Sequence, residues 1–300
     1  MKYRLYLFFC CFLCALGLTA FAQRADLGSF KSVEFSQLSD STLGALGQQA
    51  LLIRTSEWHH AESEHFVYHF FHDFVAAPVS SEAEFYYGIV SKELQKDTTQ
   101  WEHKCHIYIF EKPEDWAAFQ KRGALDPWTG GLHAGGELFI QRNPEVKWKG
   151  NSLGHEVTHL VIYRFFGNGV PLWINEGYAE YSASRGYAAY NRARGFLSTP
   201  RARASDPAQY FPLAQLTSAV TYPQDVLQVP IFYAQSERLV RFLSAADKAG
   251  FLTFLESLAH GSRIETALGR AYGSKFSSLD TLQREFMIFA TKDVTAPASN

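Results

Sequence analysis

The segment from residue 155 to residue 159, His-Glu-Val-Thr-His, is the feature that most restricts how this chain can fold. Residues four apart lie on one face of an α-helix, so a helical segment lets His155 and His159 point two ring nitrogens at one place. Glu156 lies one step round the helix, beside that place rather than at it. Two imidazoles that converge in this way are typical of a catalytic zinc site, which needs a third protein ligand and an open position.

The third ligand is expected from the segment Trp173-Ile174-Asn175-Glu176-Gly177 and its continuation to Glu180. Pro171 is suited to the start of a second helix, on which Glu176 and Glu180 share a face. We assign Glu176 as the metal ligand. Glu180 then accepts the free N–H of His155, a partner that ligand histidines usually have. The reverse assignment of the two carboxylates stays open.

The chemistry expected of such a site is hydrolysis. Zinc lowers the pKa of a bound water molecule to near 7, and a neighbouring carboxylate can take its proton. We therefore predict one zinc ion per chain, held by His155, His159 and Glu176. Glu156 is predicted to act as the general base toward the zinc-activated water.

Hydrolysis at a carbonyl group also passes through an oxyanion, which needs a donor besides the metal. Tyr233, in an apolar helix, is our candidate for this catalytic role, although core packing suits it as well. His133 lies in a Gly-rich loop that could approach a substrate, and an ordinary loop histidine is the commoner case. An excess of histidines earlier in the chain matches no ligand spacing, so strand-face or surface positions are expected for His59, His60, His65, His69 and His72.

The first 22 residues have the pattern of a cleavable export signal. Lys2 and Arg4 precede an apolar run, and Ala20-Phe21-Ala22 provides the small-x-small sequence that signal peptidase recognises. The run is short for a membrane span, and no later segment is apolar enough for one. We expect a periplasmic or extracellular protein without a membrane span after signal cleavage.

Composition narrows the choice of partners. Apolar residues make up 47% of the chain and charged residues 19%, which suits a protein with a sizeable core. The formal net charge of −2 becomes −4 when the two basic residues of the leader are removed, so no attraction to nucleic acid is expected. Cleavage also removes three of the four cysteines, and Cys105 alone cannot form an internal disulfide.

The order of elements predicts an α+β protein, with strands and helices first and helices alone afterwards. Asn151 or Ser152 should cap the start of the first metal-site helix, and the second helix should end at about Ser184, before Gly186. A capping box at residues 81–84 predicts the start of an earlier helix. Strands are expected at 65–71, 104–110 and 137–141, and further helices at about 42–52, 81–96, 113–122, 230–246, 248–260, 262–272 and 278–292.

This order divides the chain into four parts. They are an export signal at 1–22, an N-terminal extension at 23–56, a catalytic region with both metal motifs at 57–200 and a helical C-terminal lobe at 201–300. A polar, Arg-rich connection at 185–206 is interpreted as a solvated loop.

The two metal motifs resemble those of the gluzincin zinc metallopeptidases, specifically the peptidase MA-like group related to the thermolysin-like and aminopeptidase branches. The match is H-E-V-T-H at 155–159 and W-I-N-E-G-Y-A-E-Y at 173–181. The resemblance implies a thermolysin-like catalytic core with a small mixed sheet and two active-site helices, followed by an α-helical C-terminal lobe. It also implies Glu176 as the third ligand, Glu156 as the general base and Glu180 as a carboxylate that supports the ligands.

We therefore predict an exported zinc metallopeptidase that acts on a peptide or protein substrate. The G-x-M-E-N segment, by which aminopeptidases hold the free amine of a substrate, does not occur in the sequence. An endopeptidase is accordingly favoured over an aminopeptidase. Two alternatives stay open: a zinc-stabilised envelope binding or scaffold module that cuts no peptide, and a zinc hydrolase of a non-peptide amide. The sequence does not fix the oligomeric state.

Overall fold

The computed structural model describes residues 32–98, 103–126, 129–145, 152–200, 205–273 and 275–295 of the 300-residue chain. The export signal with its cleavage pattern, and the alternative helix cap Asn151, lie outside these residues and stay predictions. Within the described ranges, no helix combines the length and the apolar character that crossing a membrane requires.

Strands and helices are interspersed up to residue 141, and the described elements after it are helical. The strands are β1 (His59–Glu62), β2 (Phe66–Phe70), β3 (Cys105–Phe110), β4 (Gly131–Ala134) and β5 (Glu137–Gln141). The helices are α1 (Ala45–Leu51), α2 (Asp73–Glu93), α3 (Pro113–Gly123), α4 (Ser152–Phe166), α5 (Leu172–Ala193), α6 (Leu213–Ser218), α7 (Val229–Ala246), α8 (Lys248–Ala259), α9 (Ile264–Tyr272) and α10 (Leu279–Thr295). The predicted α+β class, with a small mixed sheet and a helical C-terminal region, is confirmed.

The five strands form one mixed sheet in the order β1-β2-β3-β5-β4. Strands β2, β3 and β5 run parallel, while β1 and β4 pair antiparallel with β2 and β5 at the two edges. Every residue of β3 is buried, as expected of a central strand that is covered on both faces. Strands β4 and β5 join through Gly135 and Gly136, both at positive φ, which is the backbone that a tight hairpin turn requires.

One face of the sheet packs on helices from both halves of the chain. Phe66 and Ile107 on this face belong to the same buried cluster as Leu160 of α4, Phe254 of α8 and Phe286 of α10. The C-terminal helices therefore complete the core that supports α4. The predicted boundary at residue 200 stays a proposal about chain order, since the core is continuous across it.

The opposite face of the sheet is covered by the N-terminal segment and by α3. Tyr108 and Phe139 on this face pack with Trp116 and Phe119 of α3 and with Ala50 of α1. The sheet thus lies between two layers of helix. This arrangement explains why β3 and β5 are buried along almost their whole length.

Glu137 of β5 holds the N-terminal segment against the sheet through hydrogen bonds. Its carboxylate accepts hydrogen bonds from the backbone N–H groups of Gly44 (3.0 Å) and Gly47 (3.2 Å) and from the hydroxyl of Tyr108 (3.0 Å). Helix α1 has no side-chain cap of its own, so a carboxylate from a strand satisfies donors at its first turn. Residues 32–56, from the predicted N-terminal extension, are accordingly folded against the sheet.

The predicted strands and C-terminal helices are confirmed, with ends that differ by three residues at most. Strands β1 and β4 and helix α6 are additional elements that the sequence analysis does not predict. Each has only four to six residues, too few to show a clear hydrophobic period.

Helix α2 begins at Asp73, eight residues before the predicted start at Ser81, so the capping-box interpretation is wrong. Apolar residues of its first turns are buried in the core, and this burial outweighs the backbone hydrogen bond that Pro78 removes. Glu84, the second member of the supposed box, instead accepts a hydrogen bond from the backbone N–H of His65 (2.9 Å).

Helix α5 continues to Ala193, whereas an end at about Ser184 is predicted from Gly186. Gly186 is a packing residue, because a Cβ there would lie 2.5 Å from the ring of Tyr86 in α2. Gly154 of α4 meets the same ring just as closely. The two glycines form a slot for Tyr86, and α5 takes in the first part of the region interpreted as a loop.

Candidate metal centre

Helix α4 presents His155 and His159 and is fixed by the residues between and around them. Leu153, Val157 and Leu160 have no exposed surface and belong to the main core cluster. Rotation of the helix about its axis would pull these side chains out of the core. The direction of the two imidazoles is therefore set by the packing of α4.

Helix α5 brings Glu176 to the same place from a second direction. Trp173, in its first turn, is buried and packs against Phe254 of α8, with ring centroids 6.4 Å apart. Gly177 allows α5 to approach α7, since a Cβ there would overlap the backbone carbonyl of Ser236. Both contacts lie beside Glu176 and hold it against α4.

Three ligand atoms converge between the two helices. The Nε2 atoms of His155 and His159 are 2.9 Å apart, and Oε2 of Glu176 lies 3.3 Å from the first and 3.4 Å from the second. In a tetrahedral site with zinc–ligand bonds of about 2.0–2.1 Å, ligand atoms lie roughly 3.3 Å apart. Oε2 is buried and faces these two imidazole nitrogens. Two imidazole nitrogens and one carboxylate oxygen at this spacing fit a zinc ion.

Each imidazole meets an oxygen on its other side. Oε1 of Glu180 lies 3.4 Å from Nδ1 of His155, and Oδ1 of Asn175 lies 3.0 Å from Nδ1 of His159. An oxygen at this position favours the tautomer with its proton on Nδ1, which leaves the lone pair of Nε2 for a metal. Glu180 thus lies where it can orient His155, while Glu176 is the carboxylate at the convergence point.

Asn175 and Tyr222 are residues of the site that the sequence analysis does not assign. Asn175 directly precedes Glu176 in the N-E-G segment, so a helical model of that segment could have found it. Tyr222 lies 46 residues after Glu176, in the connection between α6 and α7, and its hydroxyl donates a 2.6 Å hydrogen bond to Oε1 of Glu176. No spacing in the sequence marks this tyrosine.

The imidazoles and carboxylates that converge here shift one another's pKa values. Burial alone would lower the pKa of His155, but Glu176 and Glu180 raise that pKa well above its ordinary value. Burial alone would raise the pKa of Glu176, but His159 and His155 hold that pKa well below its ordinary value. A metal ion that binds here must therefore compete with protons on the imidazoles.

Glu156 lies beside the convergence point and against the edge strand β4. The residue is only 7% exposed, and a Cβ at Gly131 would lie 2.8 Å from its Oε1. Burial raises the pKa of Glu156, and the opposing charges of His155 and His159 do not cancel that effect. A carboxylate with a raised pKa holds an accepted proton better and is suited to general-base work.

Tyr233 of α7 approaches the site from the side of His155. Its ring centroid lies 6.3 Å from that imidazole and 5.9 Å from the ring of Tyr222, on which it stacks. Burial, followed by the charge of Glu176, raises the pKa of Tyr233. The phenol of Tyr233 therefore keeps its proton, and its hydroxyl forms a hydrogen bond with that of Tyr222.

His133 lies on β4, and its predicted position in a loop is wrong. Alternate residues of a strand share a face, so His133 points to the same side as Gly131, toward Glu156. Its Nε2 is buried and has no hydrogen-bond partner among the described residues. Burial, followed by the charge of His159, lowers the pKa of His133 to about 3, so this imidazole is neutral.

The earlier histidines lie away from this centre. His60, His69 and His106 form a row across β1, β2 and β3, on the face that the N-terminal segment covers. The Nδ1 atoms of His60 and His69 are 2.8 Å apart, as are Nε2 of His69 and Nδ1 of His106. The other histidines of this stretch lie on β1 or pair with carboxylates: His59, His65 and His72.

Comparison with known proteins places these observations in a family. A comparison with curated proteins found no match. The family model of the Peptidase MA superfamily matches residues 88–289, from the second half of α2 into α10. This span includes both metal-site helices and covers more than half of the chain. The chain therefore belongs to the Peptidase MA superfamily, which indicates a peptidase.

Proposed function

We propose that this chain is an exported, zinc-dependent endopeptidase. The observation that carries the proposal is the convergence of His155, His159 and Glu176, with the buried Glu156 beside them. Membership of the Peptidase MA superfamily supports peptide bonds as the target. A zinc ion bound at this point would supply Lewis acidity, which polarises the substrate carbonyl and makes a water molecule easier to deprotonate.

The protein groups around that point have separate tasks. Glu156 takes the proton of the attacking water and can return it to the leaving amine. His155 and His159 keep their Nε2 lone pairs directed inward, because Glu180 and Asn175 hold the protons on Nδ1. Packing of α4 and α5 holds these groups in place before the substrate arrives.

Negative charge that develops on the carbonyl oxygen needs hydrogen-bond donors. Tyr233 and His133 are the donors we propose, from α7 and β4 respectively. Both groups are neutral, because the pKa of Tyr233 is raised and the pKa of His133 is lowered. Both are close to the ligands, since the charge of Glu176 acts on Tyr233 and the charge of His159 acts on His133.

The edge strand β4 supports a peptide as the substrate. It pairs with β5 on one side, and in the described sheet no strand pairs with its other side. An extended peptide can add to such an edge through backbone hydrogen bonds. Recognition through the backbone would bring the peptide alongside Gly131 and Glu156 and needs no free amino terminus, which favours an endopeptidase.

Export remains part of the proposal. The basic start, the apolar run and the small-x-small pattern within residues 1–22 support it. The single cysteine outside that leader agrees with a fold that needs no disulfide. We propose that the mature protein acts in the periplasm or outside the cell.

The test compares the wild type with Glu156→Gln and Glu176→Gln after expression in zinc-supplemented medium. The wild type should contain one zinc ion per chain and cut internal bonds in a library of peptides with blocked termini. Glu156→Gln should keep its zinc and lose roughly 10²–10⁴-fold in kcat/KM, because the general base is removed. Glu176→Gln should lose both zinc and hydrolysis.

Other results would point elsewhere. A wild type without zinc after zinc-replete expression would remove the metal from the proposal. A zinc protein that cuts no peptide in the library, with or without Glu156, would favour the binding module. Release of amine from a non-peptide amide, with no peptide cut, would identify the alternative hydrolase.

A further inference from the structure

The two oxygens of Glu176 have different neighbours. Oε2 faces the Nε2 atoms of His155 and His159 at 3.3 and 3.4 Å. Oε1 accepts a 2.6 Å hydrogen bond from the hydroxyl of Tyr222. The carboxylate is 4% exposed, so water has little access to either oxygen.

Tyr222 is held in place by aromatic packing. Its ring stacks on Tyr233 with centroids 5.9 Å apart and meets Phe232 edge-on at 6.1 Å. Both partners belong to α7, which packs closely on α5 at Gly177. The phenol is therefore fixed relative to the helix that carries Glu176.

The hydroxyl of Tyr222 uses its proton in the hydrogen bond to Glu176. The 2.6 Å distance from this hydroxyl to Oε1 of Glu176 is that of a short hydrogen bond in which the phenol is the donor. A phenol has one proton, and a hydroxyl that donates it to Glu176 cannot donate it to a substrate as well.

We propose that Tyr222 is a positioning residue that leaves Glu176 only Oε2 to offer to a bound zinc ion; this inference rests on the proposed zinc function. A free carboxylate can bind a metal through one oxygen or through both. With Oε1 engaged by the phenol, Oε2 alone is presented beside the two imidazoles. If zinc were bound by these three atoms, the fourth position that catalysis requires would then be left to water or substrate.

Tyr222→Phe tests this directly, because it removes the hydroxyl and keeps the ring that packs on α7. The first readout is the visible absorption of the Co²⁺-substituted protein, which is strong for four-coordinate cobalt and weak at higher coordination number. We expect weaker absorption in Tyr222→Phe, since the second oxygen becomes free to bind. Zinc affinity, measured by competition with a chelator, should fall roughly tenfold or more, as for other groups that orient ligands.

Tyr233→Phe is the matched control. It removes a neighbouring phenol from the same stack, and it should lower kcat while leaving the cobalt spectrum and the zinc affinity unchanged. Tyr222→Phe should change the spectrum whether or not a substrate is present. Thermal unfolding of both variants, followed by circular dichroism, checks that each is folded.

The outcomes separate this inference from the proposed function. A wild type that binds zinc, together with a Tyr222→Phe variant of the same cobalt spectrum and a zinc affinity within twofold, would overturn the role of Tyr222 and leave the peptidase intact. A wild type that binds no zinc would remove both proposals. The same spectral change in Tyr233→Phe and in Tyr222→Phe would also count against a specific contact to Glu176.

Discussion

Gly131 shows that the proposed active site depends on a residue without a side chain as well as on its ligands. The strand β4 runs beside α4, and the space that a Cβ would take at Gly131 is filled by the carboxylate of Glu156. The general base is thus confined between a helix and the edge of a sheet. Small changes in this space should act on catalysis without touching the metal ligands.

Gly131→Ala should therefore reduce kcat/KM while the zinc content stays unchanged. The added Cβ would lie 2.8 Å from Oε1 of Glu156, so the carboxylate must move. Misplacement of a catalytic group by about 1 Å can cost on the order of 10²-fold in rate, and we expect a loss of at least tenfold. Steady-state kinetics with metal analysis measures both quantities.

Gly130→Ala is the control for that variant, since a Cβ at Gly130 would meet no atom within 4 Å. It should keep the kcat/KM of the wild type. Equal activity of Gly131→Ala and Gly130→Ala would contradict the proposed confinement of Glu156.

For individual residues of the site, the sequence predicts the positions that the geometry of a single helix determines. His155 and His159 can be paired from their spacing because helical geometry is local, and Glu176 follows on the next helix after a short connection. Tyr222 and Gly131 cannot be placed in this way. Their distance from Glu176 and Glu156 is set by how a connection and an edge strand pack in three dimensions.

Contacts between elements depend on close approach of backbones, and α5 with α7 is the clearest case. Gly177 lies directly after Glu176, and a side chain there would overlap the carbonyl oxygen of Ser236. Backbone atoms cannot rotate away as a flexible side chain can. The position of Glu176 is thus coupled to the packing of the C-terminal helices.

Gly177→Ala should lower the free energy of unfolding by about 1–3 kcal/mol, the range for overpacking of a close-packed interior. Urea denaturation measures this change. Gly88→Ala in α2 is the control, since a Cβ there would meet nothing within 4 Å. That substitution should raise the free energy of unfolding by roughly 0.5–1 kcal/mol, because alanine suits a helix better than glycine. Equal effects of the two substitutions would argue against the tight α5–α7 contact.

Element boundaries were predictable where the hydrophobic period was long and the end was local. The C-terminal helices satisfy both conditions, so their ends were found to within three residues. At the start of α2 and at the end of α5, neither a long hydrophobic period nor a local end signal marks the boundary. Burial of apolar residues before Ser81 extends one helix, and the slot for Tyr86 at Gly186 allows the other to continue.

The stability of the whole molecule should depend on pH through the row of His60, His69 and His106. Burial lowers the pKa of all three imidazoles, to about 4 for His60 and well below the ordinary value for His69. Asp40 and Glu62 oppose this effect at His106 without cancelling it. The folded protein therefore keeps the row neutral at pH values where the unfolded chain binds protons.

The free energy of unfolding should accordingly fall as the pH falls below about 6.5, the ordinary value for histidine. Above that pH the three imidazoles are neutral in both the folded and the unfolded protein, so their contribution to the free energy of unfolding is constant. Each extra proton bound by the unfolded chain gives a slope of about 1.36 kcal/mol per pH unit. Urea denaturation between pH 8 and about pH 4 measures the slope.

His69→Phe should flatten that slope, because it removes the most buried imidazole of the row. His260→Phe, at an exposed position, is the matched control and should leave the slope unchanged. The slope, rather than the absolute stability, is compared, so a general loss of stability in His69→Phe does not affect the result. Identical slopes in the wild type and His69→Phe would refute this account of the row.

The contact of Glu137 with the N-terminal segment has a practical consequence for recombinant fragments. The span that matches the family model begins at residue 88, yet β1, β2 and the first half of α2 lie before it. A fragment cut at that boundary would lose the Gly44 and Gly47 donors of Glu137 and expose the apolar strand β3 as a sheet edge. Unpaired apolar edges promote aggregation, so a soluble fragment should begin no later than residue 32.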